Sequence, residues 1–389
     1  MPMSAGSHAR PIKLALVSCG LGHVQRGFEI ATARWHAALS SDPRLRVKLF
    51  SGGAFPDAEP VWNIARDRLL RSPLGAVRSL NAPRLWRFCY RVEQRTFGLG
   101  FIPKLWSWRP DVVWVQDLLL GRMLASSREL LRLKFKIVFA NSVFPPHDYR
   151  AFDLIQQMHP DALALGVRAG VDAAKMRVLP HYVPYTAPAE SPRELRREMQ
   201  FADDDWIVVC VAAWNSYQKR LDYLIEEAAD LRDPSLKLVL CGHPEPGTDV
   251  LKTLARDKLG PNVRWLTLAP EDVRRVLAIS NVFVLPSLYE GLSLALIEAA
   301  MAGVPIICHR HAAGRFVLED GPWLADLSVK GALAARLRAL RGAPPPDDRL
   351  RLLQARVAER FGARALADQF YEIVSSVHHA GCAGGEACG

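Results

Sequence analysis

The chain has 389 residues, of which 50% are hydrophobic and 23% charged, with a formal net charge of +10. That length suits two domains, each able to bury its own core, and the composition argues against disorder. No stretch approaches the ~18 consecutive apolar residues of a membrane span, and the chain reads as carrying neither a transmembrane helix nor a signal peptide.

The predicted elements alternate from the start. Lys13–Cys19 reads as a strand ending in Gly20-Leu21-Gly22, Phe28–Leu39 as a helix and Arg46–Phe50 as a second strand. Strands at Asp111–Gln116 and Lys136–Asn141 follow. Several of these runs are apolar throughout, as in parallel sheets covered on both faces. Four prolines between Pro180 and Pro192 mark a linker. The pattern then restarts, with strands at Trp206–Trp214, Lys237–Gly242, Asn262–Leu266, Asn281–Pro286 and Val304–His309. Helices are expected between them, the first from about Leu221 to Leu231. The expectation is an α/β fold of two doubly wound, Rossmann-like domains facing each other across a cleft. The N-terminal domain covers 1–186 and the C-terminal domain 187–348. A helix over 349–379 packs back toward the N-terminal domain, and 380–389 is a flexible tail. In such sheets ligands bind beyond the carboxyl ends of the strands.

Seven cysteines are present, an odd number, and no pair has zinc-ligand spacing. Cys19, Cys210, Cys241 and Cys308 lie in apolar, strand-like runs, which suits free thiols in a reducing cytosol. The positive charge is concentrated. From Arg66 to Arg109 there are nine arginines and Lys104 against Asp67 and Glu93, a net of +8, interleaved with Trp86, Phe88, Tyr90, Phe97, Phe101, Trp106 and Trp108. Three readings fit: contact with an anionic membrane surface or acceptor, a solvated helical face over a buried aromatic side, or nucleic acid. No nucleic-acid-binding motif supports the third, and no nucleic-acid partner is expected.

The most informative stretch is Pro286–Ile307. A strand ends at Pro286, and a helix is predicted from Ser293 to Met301, with Gly303 as its terminator and Pro305 opening the next strand. The junction offers the backbone N–H groups of Gly291, Leu292, Ser293 and Leu294 to an anion such as a diphosphate. Gly291 allows a phosphate to approach the backbone closely. Glu290 and Glu298 flank this position. Each would repel a diphosphate, so both are expected to accept from hydroxyls of a ribose or a sugar ring.

In this context Glu290-Gly-Leu-Ser-Leu-Ala-Leu-Ile-Glu298 resembles the E-x7-E motif of retaining GT-B glycosyltransferases, the GT4-like or group 1 family. Pro286-Ser287 before it and Ala300-Met-Ala-Gly-Val-Pro305 after it add to the likeness. The resemblance implies that Glu298 holds the ribose, Glu290 the donor sugar, and the amides between them the diphosphate. The segment Trp214–Leu231 is similar to the family stretch after the first C-terminal strand. There Lys219 falls on the lysine that neutralises the diphosphate. The family's arginine position is Trp214 here and its preceding glycine is Ala213, which leaves Arg220, or an arginine from elsewhere, for the second charge.

Ser18–Glu29 resembles the glycine-rich N-terminal loop of the same enzymes, with Gly22, His23 and Arg26 as candidates toward donor phosphates and acceptor. Its spacing is not the dinucleotide fingerprint. Arg109–Gly121 resembles a family strand and loop with Gln116 and Asp117 facing the cleft. Many relatives have a histidine just after the strand at Lys136–Asn141. Asn141-Ser142 stands there in this chain, so His147 and His159 are the candidates for that contact. Asp203-Asp204-Asp205 contains an Asp-x-Asp, the manganese motif of another transferase fold, but it precedes a strand instead of ending one.

The expected protein is a retaining, hexosyltransferase-like enzyme using a nucleotide diphosphate sugar, with UDP- or GDP-sugar as partner and neither metal nor other cofactor. The expected acceptor is a lipid-linked or envelope glycan, with the enzyme cytoplasmic and peripheral at the inner membrane face. The alternatives are a soluble small-molecule acceptor, or a pseudo-enzyme that only binds nucleotide sugar.

Overall fold

The computed structural model describes residues 10–24, 26–71, 82–142, 149–362 and 365–380, with backbone alone at 71, 82–84 and 365. In strand β1 (Ile12–Ser18) every residue but Lys13 is buried, so both of its faces must be covered. It pairs in parallel with β2 (Leu45–Ser51) and β4 (Val112–Val115). With β3 (Ala58–Pro60), β5 (Lys136–Asn141), β6 (Leu154–Gln157) and β7 (Met176–Val178) they form a seven-stranded sheet of order β3-β2-β1-β4-β5-β6-β7. Its helices are α1 (Gly27–Leu39), α2 (Arg66–Arg71), α3 (Ala82–Trp108), α4 (Leu118–Leu130) and most of α5 (Pro160–Arg168).

The second sheet has six strands in the order β10-β9-β8-β11-β12-β13. They are β8 (Trp206–Val211), β9 (Leu236–Cys241), β10 (Val263–Leu266), β11 (Val282–Leu285), β12 (Ile306–His309) and β13 (Leu324–Ala325), all paired in parallel. Around them lie α6 (Pro192–Glu198), α7 (Leu221–Ala229), α8 (Thr248–Leu259), α9 (Pro270–Ile279), α10 (Leu294–Met301), α11 (Ala312–Leu318), α12 (Ala332–Gly342) and α13 (Asp347–Phe361). The chain folds as two compact units. One comprises residues up to Met158, Leu163–Leu179 and the C-terminal end from Arg364, and the other His159–Ala162 and Pro180–Ala363.

Two expectations need correction. The strand predicted over Trp206–Trp214 stops at Val211. Beyond it the Asn215 side chain folds the chain into a turn by accepting from the N–H groups of Gln218 and Lys219. The single helix expected over 349–379 is two, α13 and α14 (Ala365–Ala380), which serve different units. At the end of α13, Val183 donates its N–H to the Phe361 carbonyl at 2.8 Å, and Gln354 fastens the helix to the end of α10 through the Met301 carbonyl at 2.6 Å. Helix α14 instead inserts Phe370 against Trp35 and Trp114, with ring centroids 4.6 and 6.1 Å away. The tail lies outside the described residues beyond Ala380.

Strands β3, β6, β7 and β13 escape a hydrophobicity reading because they have two to four residues each. Strand β6, Leu-Ile-Gln-Gln, is also polar. Its glutamines are satisfied in the core: Gln156 accepts from the Trp114 indole and donates to the Leu179 carbonyl, both at 2.8 Å, and Gln157 accepts from Asn141 at 2.9 Å. Replacing the buried Phe370 by alanine is expected to destabilise the N-terminal unit by about 3–5 kcal/mol. The measurement is the urea midpoint of that unit, and an unchanged midpoint would remove α14 from its core.

Candidate active site

In the C-terminal sheet the strand order reverses between β8 and β11, so the loops after these two strands diverge to opposite sides and leave a crevice at their carboxyl ends. The Asn215 turn follows β8 and presents Lys219. Asn215 is held in turn by Glu245, to which it donates at 2.8 Å and to which Tyr217 donates at 2.7 Å. The loop after β11 presents Glu290. The two meet: Lys219 Nζ lies 2.5 Å from Glu290 Oε1, with Glu290 almost wholly buried.

Next to this pair helix α10 begins. Ser293 is its N-cap, and its side chain accepts from the Leu296 N–H at 3.3 Å. Among the described residues none accepts from the backbone N–H groups of Gly291, Leu292, Ser293 or Leu294. The positive end of the helix dipole and four free donors thus sit beside Lys219. One turn and more along α10, Glu298 is buried, and the charges of Glu298 and Arg274 both act on the Tyr185 hydroxyl, whose pKa is raised chiefly by burial. Neither Tyr185 nor Arg274 carries a signal in the sequence. Gly303 adopts φ 73° after the helix, the left-handed geometry of a helix stop.

Arg220 points elsewhere. It takes φ 51°, lies 4.1 Å from the centre of the Tyr223 ring, and donates to the carbonyls of Leu327 at 2.6 Å and Pro286 at 3.3 Å. It therefore braces the end of β11. Trp214 is buried edge-on against Trp265, 5.0 Å between ring centroids, and its indole N–H has no partner among the described residues.

His311 is a residue the sequence reading missed. It is buried at the N-terminus of α11, where its Nδ1 accepts from the Gly314 N–H at 2.8 Å, so the neutral ring carries its proton on Nε2. Burial pushes its pKa down to about 4, although the nearby Glu290 carboxylate acts in the opposite direction. Beneath the pair, burial pushes the Cys210 thiol up to about 12 and Cys308 higher still, with Glu290 adding to both. Neither thiol is a nucleophile at neutral pH.

The candidates from Gly22 to Asp117 are tied into the first unit, whereas His159 belongs to the second. Gly22 takes φ 87°, and a Cβ there would lie 2.5 Å from the Gly53 carbonyl carbon. His23 packs against the same loop, and its Nε2 is buried without a partner among the described residues. Arg26 is the N-cap of α1 and lies over the Trp86 ring at 5.1 Å. Gln116 donates to the Phe28 carbonyl and Thr32 at 2.8 and 3.0 Å. Asp117 accepts from the Tyr90 hydroxyl and, at 3.4 Å, from Cys19. His147 lies outside the described residues. His159 is buried, and its Nδ1 accepts from the Ala162 N–H at 3.1 Å in the first turn of α5. The Asp203–Asp205 triplet precedes β8, where Asp205 accepts from the Ala202 N–H at 2.8 Å.

Residues 205–341 match the family model described as Glycosyl transferases group 1, a segment that contains Lys219, Glu290, Glu298 and His311. The chain is similar to EpsD of Bacillus subtilis, 29% identical over 49% of this chain and 50% of that protein. It is also similar to the UDP-Gal:alpha-D-GlcNAc-diphosphoundecaprenol alpha-1,3-galactosyltransferase of Escherichia coli, 31% identical over 35% and 37%. The chain thus spans half or less of the length of these relatives. Among solved structures, Anabaena HepE in complex with UDP-glucose superposes with a TM-score of 0.74 at 15% identity, over 94% of this chain and 100% of that one. That likeness establishes the fold: two parallel-sheet, Rossmann-like units of the GT-B class.

The depressed pKa of His311 has a definite consequence. The unfolded chain binds a proton below pH 6.5, whereas the folded chain does so only below about pH 4. The contribution of His311 to stability is therefore intact above pH 6.5 and is lost as pH drops from 6.5 to 4, by on the order of 3 kcal/mol. His311→Asn, which keeps an acceptor at the helix start, should flatten urea-unfolding stability over that window. An equal pH dependence in the variant would refute the assignment.

Proposed function

We propose that this chain is a retaining glycosyltransferase of the GT4-like kind, which moves a sugar from a nucleotide diphosphate sugar to a hydroxyl of a lipid-linked or envelope glycan. The observation that carries the reading is the Lys219–Glu290 pair beside the free N–H groups of α10, at the switch point of the C-terminal sheet. Its placement inside the segment that matches group 1 glycosyl transferases supports it, as does the UDP-glucose held by HepE. The galactosyltransferase relative is named for a diphosphoundecaprenol-linked acceptor, which favours a lipid-linked glycan.

In this reading the donor diphosphate lies on the N–H groups of Gly291 to Leu294. Its charge draws Lys219 away from Glu290, and Glu290 then accepts from hydroxyls of the donor sugar. Glu298 accepts from the ribose hydroxyls. The bond from the anomeric carbon to the diphosphate oxygen breaks in an oxocarbenium-like transition state, and negative charge grows on the departing oxygen. Lys219 and the helix N-terminus are preorganised around that charge, so the stabilisation is largest where the barrier is highest. They supply the positive field, so the reaction is proposed to need no metal. The acceptor hydroxyl attacks the same face and passes its proton to the departing diphosphate oxygen, retaining the anomeric configuration.

A panel of UDP-, GDP-, ADP- and TDP-sugars in a thermal-shift assay tests the donor site. One nucleotide class should stabilise the chain, by roughly 2.7 kcal/mol at about 100 times its dissociation constant, and Glu298→Ala should lose the effect. A folded chain that no donor stabilises would sink the reading. Lys219→Ala should lower turnover roughly 100- to 1,000-fold while donor still binds. Donor binding without turnover in the wild type would instead point to a nucleotide-sugar-binding pseudo-enzyme, the reading that Trp214 at the family's arginine position favours.

A further inference from the structure

Helix α3 has two faces of opposite character. Its inner face, with Cys89, Glu93, Phe97, Phe101 and Leu105, is buried in the N-terminal unit. Its outer face carries Phe88, Arg91, Arg95, Leu99, Ile102 and Trp106, which recur at three- and four-residue intervals and so form one stripe. The stripe runs for about 27 Å. An outward stripe is normally polar, yet Phe88, Leu99 and Trp106 are 61%, 60% and 57% exposed.

The surroundings extend the patch. The Trp62 carbonyl abuts α3 at Gly100, the Ile64 N–H donates to Thr96 at 3.0 Å, and the side chains of Trp62 and Ile64 are themselves exposed. On the opposite flank Leu131 joins Ile102, Pro103 and Trp106 in lining a shallow surface groove.

The charge on this face has one sign. The only carboxylate of α3, Glu93, is turned inward and bound to Arg66, with Nε 2.7 Å away. Lys104 is neutralised by Glu59 at 2.5 Å. Among the described residues no carboxylate pairs with Arg91 or Arg95. Exposed aromatic and aliphatic groups alternating with unpaired arginines suit a surface that is anionic outside and apolar a few ångströms deeper. A second copy of the same face would bring arginines against arginines. No helix among the described residues is long and apolar enough to cross a membrane.

We propose that the outer face of α3, with Trp62 and Ile64 beside it, docks this chain on an anionic lipid bilayer, the arginines meeting headgroups and Phe88, Leu99 and Trp106 entering the interface. This deepens the acceptor half of the function proposed above by naming the surface that meets the membrane. It stands or falls separately, because none of these residues belongs to the donor site.

Co-sedimentation tests it, using vesicles of phosphatidylcholine alone and vesicles about one-third phosphatidylglycerol. The full chain should partition onto the anionic vesicles only, and less as salt rises. Arg91→Ala and Arg95→Ala should each weaken partitioning about fivefold. Leu99→Ser/Trp106→Ser should weaken it further, with an unchanged melting temperature, since both side chains are exposed. Equal partitioning onto both vesicle types, or variants that bind like the wild type, would overturn the proposal. So would a concentration-dependent dimer that Leu99→Ser/Trp106→Ser abolishes, which would make the stripe a contact between copies. Donor stabilisation measured on the same variants keeps the two readings apart. Lost vesicle binding with intact donor binding is the expected pattern, and vesicle binding in a chain that no donor stabilises would fail the site reading alone.

Discussion

The Lys219–Glu290 ion pair joins loops 71 residues apart, and it exists because β8 and β11 are neighbours in the sheet. Parallel strands place all their carboxyl ends on one edge. The reversal of strand order then decides which two loops frame the crevice. Asn215 fixes the height of Lys219 by folding the chain after β8, and Ser293 fixes the start of α10 after β11. Desolvation of two charges offsets much of their attraction, so such a pair contributes little to stability. Its importance is that it holds a cation beside four N–H groups that have no acceptor among the described residues.

The surroundings of the pair reinforce this. Burial keeps Cys210 and Cys308 protonated and His311 neutral around neutral pH, so none of these three adds a charge beside Lys219 and Glu290. Arg220 adds its charge at the Pro286 carbonyl after β11 and the Leu327 carbonyl after β13, and so braces the loop carrying Glu290. Arg220 is thus committed to backbone carbonyls, away from the partner that Lys219 takes. Trp214 fills its position by packing on Trp265.

In the N-terminal unit an analogous constraint falls on Arg66. Buried, it lies between Glu93 and Glu29 at 2.7 and 3.4 Å and over the Tyr90 ring at 4.4 Å. Burial pushes Glu93 up to about 7 against the pull of Arg66. This network turns the single acidic residue of α3 inward, and so leaves the stripe from Phe88 to Trp106 with arginines and apolar groups.

Period and punctuation in the sequence determined the α/β class, the parallel sheets and the limits of α10, whose Ser293 cap and Gly303 stop are local features that need no tertiary contact to be recognised. They also placed Lys219 and Glu290 at loop positions after strands. Tertiary structure decided the rest. Strand β6 is polar and joins the sheet only because its glutamines find partners in the core. The last helices divide between the two units because Phe361 and Phe370 find different cores. Arg220 and Lys219, adjacent in sequence, point to different partners because Arg220 takes a left-handed backbone conformation. His311 has no sequence signal, since its state depends on burial. Short-range patterns can report where a chain turns and which face is apolar, but which charges meet is set by strand order, and strand order is a property of the packed sheet.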